Sequence, residues 1–249
     1  EYLGSLAYNT YPGDVPADEN WRIDQLAMTT YALTTAQSDV GVIVDTLYDS
    51  RDRLSAEGLA LLALSMPAGD PRARTIVDTL TSTADVSATG ASWPSNEESS
   101  WWAGSQTRST SLALAALLRH DPENPLAPNV VRWLMIARRA DAWETTEETA
   151  WALTALSGWA EHTGELKGGF DYTVRLNDNL LLQGSVDPSV VADVASAHTA
   201  DLIRAQANQL AFERSAGDGR LYYTASLNVV LPAGEAPAVD RGLVISRSY

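Results

Sequence analysis

The residues of this chain best placed to do chemistry are the carboxylates near position 145. Asp141, Glu144, Glu147 and Glu148 lie within DAWETTEETAWALTAL, where Thr145 and Glu148 have the S/T-x-x-E spacing. Two carboxyl groups on facing elements could act as general acid and base on a polysaccharide or a terpenoid. Acids at the start of a helix also satisfy its free N–H groups, as a capping box does. Because these acids share one stretch of chain, capping is the favoured interpretation, and acid–base catalysis stays the alternative.

Few other side chains suggest a reaction or a cofactor. The three histidines, His120, His162 and His198, show no HxxxH or His–Glu spacing that would predict a metal site. His120 ends a helical segment, where a positively charged group is favourable. The chain has no GxGxxG, GxxxxGK(S/T) or GxSxG string and no DxDD or DDxxD motif. The sequence therefore predicts no metal and no cofactor, and it identifies no catalytic residue.

Four tryptophans precede apolar helical segments: Trp93, Trp101, Trp102 and Trp143. Aromatic rings at that end of the helices could form the floor of a binding pocket, which would make the protein a binding module. Large aromatic side chains in loops are more often buried anchors that hold the loop against the helix ends. We therefore expect anchors, and we keep the pocket as an alternative.

The composition excludes several classes of partner. The chain has 249 residues, of which 45% are hydrophobic, and its formal charge is 17 − 32 = −15. Such a charge repels nucleic acid and anionic membranes. The absence of cysteine excludes disulfides, thiolate metal sites and a thiol nucleophile. No apolar run is long enough to span a bilayer. The start, EYLGSLAYNTYPGD, has no initiating Met and no basic signal-peptide region, so we expect a piece of a longer protein.

The first two thirds of the chain predict helices of two kinds. Small and apolar residues without Gly or Pro fill YALTTA at 31–36, LALLAL at 59–64, LALAAL at 112–117 and WALTAL at 151–156, which indicates buried inner helices. Between them lie amphipathic segments at 43–47, 76–80 and 130–134, whose predicted buried residues are Ile43, Val44, Leu47, Ile76, Val77, Leu80, Val130, Val131 and Leu134. Alternation of the two kinds predicts αα-hairpin repeats.

The last third predicts antiparallel strands. Apolar residues alternate with polar ones from Phe170 to Leu176, residues 177–179 form a turn, and residues 180–183 return. Residues 208–214 and 221–231 predict a hairpin, and residues 242–249 a last short strand. The fold class is therefore α+β and multidomain: αα-hairpin repeats of a partial α/α toroid over 1–165, then an antiparallel β module over 166–249.

The order of these motifs resembles the alpha-2-macroglobulin family, and more narrowly its bacterial members. The resemblance rests on VVRWLMIARR (130–139), the loop to Trp143, TTEETAWALTALSGWAEH (145–162), a strand Y-x-V-x-L-N (172–177) and the terminal GLVISRSY (242–249). It implies the second half of a thioester domain, the trailing part of a CUB-like domain, and the first strand of a final macroglobulin domain.

The resemblance implies a part in protease trapping and endopeptidase inhibition. The family's reactive group is a thioester between Cys and Gln in a Cys-x-Glu-Gln motif, which a chain without cysteine cannot contain. This chain would therefore be a scaffold and not an enzyme. Its implied partners are other domains of the same parent chain and, through the parent protein, target proteases. The implied location is periplasmic or extracellular, with a possible lipid anchor on the parent chain.

Overall fold

The computed structural model describes residues 11–95, 105–139, 142–187 and 195–219, together with Leu221, Tyr223, Ala225 and Leu227. These residues form an α+β protein, as the sequence predicts. The chain divides into two compact units, residues 1–219 and residues 220–249. In the second unit the four described residues belong to no helix or strand. The predicted strands at 221–231 and 242–249 otherwise lie outside the described residues.

The helices occupy all seven predicted positions. They are α1 (Trp21–Thr35), α2 (Gly41–Asp49), α3 (Ala56–Ser65), α4 (Pro71–Thr83), α5 (Gln106–His120), α6 (Ala127–Ala137) and α7 (Thr146–Thr163). Four short 3-10 helices cover Pro12–Asp14, Ala17–Glu19, Arg51–Arg53 and Glu165–Lys167. The strands are β1 (Asp85–Ser87), β2 (Gly90–Ser92), β3 (Phe170–Leu176), β4 (Asn179–Val186) and β5 (Leu210–Arg214).

Helices α1, α3, α5 and α7 pack in a row in which each contacts the next. Helix α2 contacts α1 and α3, α4 contacts α3 and α5, and α6 contacts α5. Helix α3 is buried at every residue from Gly58 to Ser65, because other helices cover it on several sides. The nine residues predicted to be buried on α2, α4 and α6 are all buried, as the amphipathic pattern requires.

The expectation of full burial is wrong for segment 31–36 at the end of α1, where every residue is half-buried or exposed, and for helix α7. Its buried residues are Glu148, Ala152, Ala155 and Trp159, whereas Leu153 is 54% exposed. The cause is the position of α7 at the end of the row, where α5 is its main helical neighbour. Helix α1 is at the other end, and the row curves, because the Tyr31 ring of α1 contacts the Trp151 ring of α7 with centroids 6.0 Å apart.

The helix starts follow the predicted capping rules. Ser55, Ser105 and Thr145 are N-caps whose side-chain oxygens accept a hydrogen bond from a backbone N–H in the first turn. Asp70 caps α4 in the same way, and Pro71 is the first residue of that helix. At the end of α7, Gly164 adopts the left-handed conformation that closes a helix without a Cβ clash.

Strands β3, β4 and β5 form an antiparallel sheet in the order β4-β3-β5. The alternating residues Phe170, Tyr172, Val174 and Leu176 are buried, which confirms the predicted period of two. Asn177 and Asp178 have φ of 52° and 70°, which produces the tight turn into β4. Residues 210–214 form β5, which pairs with β3 through Tyr172↔Arg214 to Leu176↔Leu210, a pairing that the sequence did not predict. Most of the hairpin partner predicted at 221–231 lies outside the described residues.

Candidate functional site

Trp93 joins helices α4 and α5. Its indole Nε1–H donates to the carbonyl oxygen of Leu80 on α4 at 2.9 Å, and its backbone N–H donates to Thr110 Oγ1 on α5 at 3.2 Å. The side chain is 1% exposed. Trp93 follows β2 directly, and β2 packs against both α5 and α6. The ring is therefore a buried anchor, as the sequence predicts.

Trp143 makes the same two bonds between α6 and α7. Its Nε1–H donates to the carbonyl oxygen of Leu134 at 3.0 Å, and its backbone N–H donates to Thr149 Oγ1 at 3.2 Å. Leu80 and Leu134 hold corresponding places in IVDTL and VVRWL. One arrangement, which we call the tryptophan tie, thus occurs twice. The other two candidate anchors, Trp101 and Trp102, lie outside the described residues.

A buried ion cluster lies at the N-terminal ends of α3, α5 and α7. The guanidinium of Arg108 bonds both carboxylate oxygens of Glu57, with Nη2–Oε1 at 2.9 Å and Nε–Oε2 at 3.0 Å. Its Nη1 binds Glu147 at 3.0 Å. The side chains of Arg108 and Glu57 are 10% and 13% exposed, whereas that of Glu147 is 53% exposed. The two-pronged pair with Glu57 is therefore the protected core of the cluster.

Burial and charge act in opposite directions on this pair. Burial raises the pKa of Glu57 above its usual value, although the positive charge of Arg108 and its hydrogen bond lower it. Burial acts to lower the pKa of Arg108, but Glu57 and Glu147 outweigh it and raise that pKa. Arg108 thus stays charged, and its charge is matched by the two glutamates. An arginine held in this way joins three helices, and the two glutamates occupy three of its five N–H donors.

Two of the four carboxylates singled out in the sequence, Glu147 and Glu148, have structural partners. Glu148 is buried, its Oε2 accepts from the Thr145 N–H at 3.0 Å, and its own N–H donates to Thr145 Oγ1 at 3.1 Å, which confirms the capping box. Its Oε1 accepts from Ser105 Oγ, the cap of α5. Glu147 binds Arg108, Glu144 is exposed, and Asp141 lies outside the described residues.

The histidines also have local roles. The ring Nε2 of His120 lies 2.8 Å from the carbonyl oxygen of Ala63, near the end of α3. Burial lowers the pKa of His120 and so favours its neutral form, although the Ala63 carbonyl raises that pKa in part. His162 lies 3.3 Å from Glu123 on the surface, and His198 is exposed. Among the described residues no group of His, Asp and Glu side chains is arranged to hold a metal ion.

Two shallow depressions of similar size lie near the tryptophan ties. One, of 430 Å³, is lined by Arg51, Leu54, Ile76 and Trp93 among others. The other, of 480 Å³, includes Ser105, Trp133, Arg139 and Glu148. Every buried polar side-chain atom of the described residues has a hydrogen-bond partner. Neither depression therefore contains an unsatisfied buried group that would fix a ligand's orientation.

The ion cluster includes residues that the sequence interpretation missed. Glu57 and Arg108 were not singled out, although each lies a few residues before a segment predicted to be a buried helix, 59–64 and 112–117. A charged residue in the first turn of a buried helix requires a partner of opposite charge if that turn is buried too. That rule predicts a pair, but it does not identify which of the 32 acids is the partner.

No protein-family model matches this chain, and no curated protein matches it. In the part of the chain that the structure describes, none of the helices combines the length and the apolar character needed to cross a membrane. In the described site, two tryptophans, a capping box and one buried arginine hold the helix ends together.

Proposed function

We propose that this chain is part of a macroglobulin-like protease inhibitor, in which it serves as scaffold and interface and not as the reactive group. The single observation that carries the proposal is the unit formed by residues 130–159. Within this unit, the Trp143 tie connects α6 to the capped start of α7. These are the same residues whose sequence resembles the family.

The repeated tryptophan tie supports the finer proposal of αα-hairpin repeats from a partial α/α toroid. Helices α4 and α6 each end in a loop whose tryptophan binds back to a leucine carbonyl, and each loop leads to the next helix of the buried row. A three-stranded antiparallel sheet follows, in the chain order that a CUB-like domain has in the resembling family. The change from helices to strands after α7 supports the proposed domains 1–165 and 166–249.

The proposed scaffold role follows from how the polar groups are used. The buried carboxylates Glu57 and Glu148 are bound to Arg108, Ser105 and Thr145, so neither is available as a general base in this arrangement. In a trapping inhibitor the reactive group is protected until domains move, and the surrounding domain must hold its shape during that movement. Periplasmic or extracellular placement and target proteases as partners belong to the same proposal.

The test uses the longer chain that carries these residues. Trypsin is incubated with it and then assayed in parallel on labelled casein and on a small peptide amide. A trapping protein shields the protease from casein and leaves its active site open, so casein hydrolysis should fall while peptide hydrolysis continues. The 249-residue chain alone is the control and should affect neither substrate. Equal loss of both activities, or loss of neither, contradicts the proposal.

A further inference from the structure

The exposed end of helix α6 and the two residues after it carry a basic-apolar patch, formed by Arg132, Met135, Ile136, Arg138 and Arg139. Met135 is 37% exposed and Ile136 58% exposed, although α6 is otherwise an amphipathic helix with a buried apolar face. Positions 132, 135 and 136 follow the helical spacing of one surface stripe, which extends about 6 Å along the helix axis. Arg138 and Arg139 follow the end of the helix in extended backbone, where Arg139 pairs with Ala142. The patch thus presents two apolar side chains flanked by positive charge.

The three arginines of the patch differ from the others in the molecule. Their guanidinium groups make no hydrogen bond or ion pair with any described residue. Every other arginine in the described ranges has a partner: Arg22, Arg51, Arg53, Arg72, Arg74, Arg108, Arg119, Arg175, Arg204 and Arg214. In a chain of net charge −15, acids are abundant, yet none of the described acids pairs with these three. The patch is therefore the largest local source of uncompensated positive charge among the described residues.

We propose that the basic-apolar patch of α6 docks a short peptide segment that has acidic residues on either side of an apolar centre. Carboxylates would pair with Arg132, Arg138 and Arg139, while an apolar side chain would cover Met135 and Ile136. Arginine is suited to this role because its guanidinium is weakly hydrated and binds carboxylates through two parallel hydrogen bonds. The proposal does not depend on the proposed function, since any protein could supply such a segment.

The charge of the whole chain favours a short segment over a large anionic surface. A nucleic acid or an anionic membrane would face the total charge of −15 and be repelled. A segment with a few carboxylates interacts mainly with charges within about 8 Å at physiological salt, so contact with the three unpaired arginines outweighs the effect of distant acids. Arg139 also shares a depression with Glu144 and Glu148. A second copy of the chain carries the same −15 and meets the same repulsion as the large surfaces.

The experiment measures the binding of a fluorescent heptapeptide, Glu-Glu-Leu-Leu-Phe-Glu-Glu, by anisotropy. A peptide with glutamine at all four acidic positions is the ligand control. The variants are R132Q/R138Q/R139Q, which neutralises the arginines, and M135Q/I136Q, which removes the apolar centre. R22Q and V42Q are matched controls, because Arg22 and Val42 are exposed on α1 and α2. All the substitutions are on exposed side chains, and thermal melts check that each variant folds.

We expect the acidic peptide to bind, and the glutamine peptide to bind about tenfold more weakly. Each patch variant should lose about the same factor, while R22Q and V42Q keep the affinity of the original chain. Absence of binding, or binding that the patch variants leave unchanged, overturns the proposal. So does preferential binding to vesicles of anionic lipid, or a dimer in sedimentation that M135Q/I136Q dissociates.

Discussion

Replacing Arg108 with methionine tests whether the buried ion cluster holds the helix ends together. Methionine keeps much of the aliphatic length and removes the guanidinium, so Glu57 is left buried without its positive partner. Loss of one member of a buried pair costs about 3–5 kcal/mol in the free energy of unfolding. For a folded unit of this size, about 2–4 °C is lost per kcal/mol, so we expect a fall in Tm of about 6–20 °C.

The matched control is Glu147→Gln, which breaks the other half of the same cluster. The Glu147 side chain is 53% exposed, so solvent screens its ion pair with Arg108. Exposed pairs contribute about 0–1 kcal/mol, and the expected change in Tm is accordingly only a few degrees. Both variants are melted by circular dichroism under identical conditions, and urea titrations supply the free energies.

The pH dependence of the same variant supplies a second check. Burial already raises the pKa of Glu57, and removal of Arg108 removes the charge that opposes this shift. At low pH the unpaired carboxyl is protonated and the cost of its buried charge disappears. The stability difference between Arg108→Met and the original chain should therefore shrink as the pH falls from about 8 towards 5. If Arg108→Met costs no more than Glu147→Gln at every pH, the cluster does not stabilise the fold as argued.

Three further predictions concern single positions. The pKa of His120 is lowered in the folded chain, so below about pH 6.5 the unfolded chain binds a proton more readily than the folded chain does. The free energy of unfolding should therefore fall as the pH drops through that range. Urea titrations at about pH 7.5 and 5.5 should show a smaller fall for His120→Gln than for the original chain. Thr145→Ala removes the side-chain oxygen that accepts from the Glu148 N–H, while the backbone N–H of position 145 can still donate to Glu148. The change should cost about 1 kcal/mol in urea unfolding, against a smaller loss for Thr154→Ala on the exposed face of α7. Gly90→Ala places a Cβ 2.5 Å from the Asn129 carbonyl oxygen and should lower Tm more than Gly69→Ala, where φ is also positive but no atom lies within 4 Å.

The features that the sequence predicted well depend on neighbouring residues. The capping box joins Thr145 and Glu148, which are three positions apart, so a single short segment contains the whole motif. The buried faces of α2, α4 and α6 follow from helical periodicity, and the alternation in β3 follows from the two-residue repeat of a strand. In each case one element contains both the pattern and the reason for it.

The features that were missed depend on contacts between distant segments. Arg108 and Glu57 are separated by 51 positions, and many other acids could have been the partner. The pairing of β5 with β3 brings together segments some 35 residues apart, at about 210 and 175. Leu153 is exposed because α7 lies at the end of the row, and the residue pattern of α7 alone does not predict that position. The candidate tryptophan anchors were identified by residue type. The carbonyl groups on α4 and α6 that accept their hydrogen bonds could be identified only from the folded structure.

The tryptophan ties also have a mechanical consequence. Trp93 and Trp143 each bind one particular carbonyl on the preceding helix and one particular threonine on the next. Lengthwise sliding of α4 past α5, or of α6 past α7, would break these hydrogen bonds. Shear between packed helices, a common way for proteins to absorb small displacements, is therefore opposed at these two places. Each of these two helix pairs should consequently move as one body when the surrounding chain is displaced.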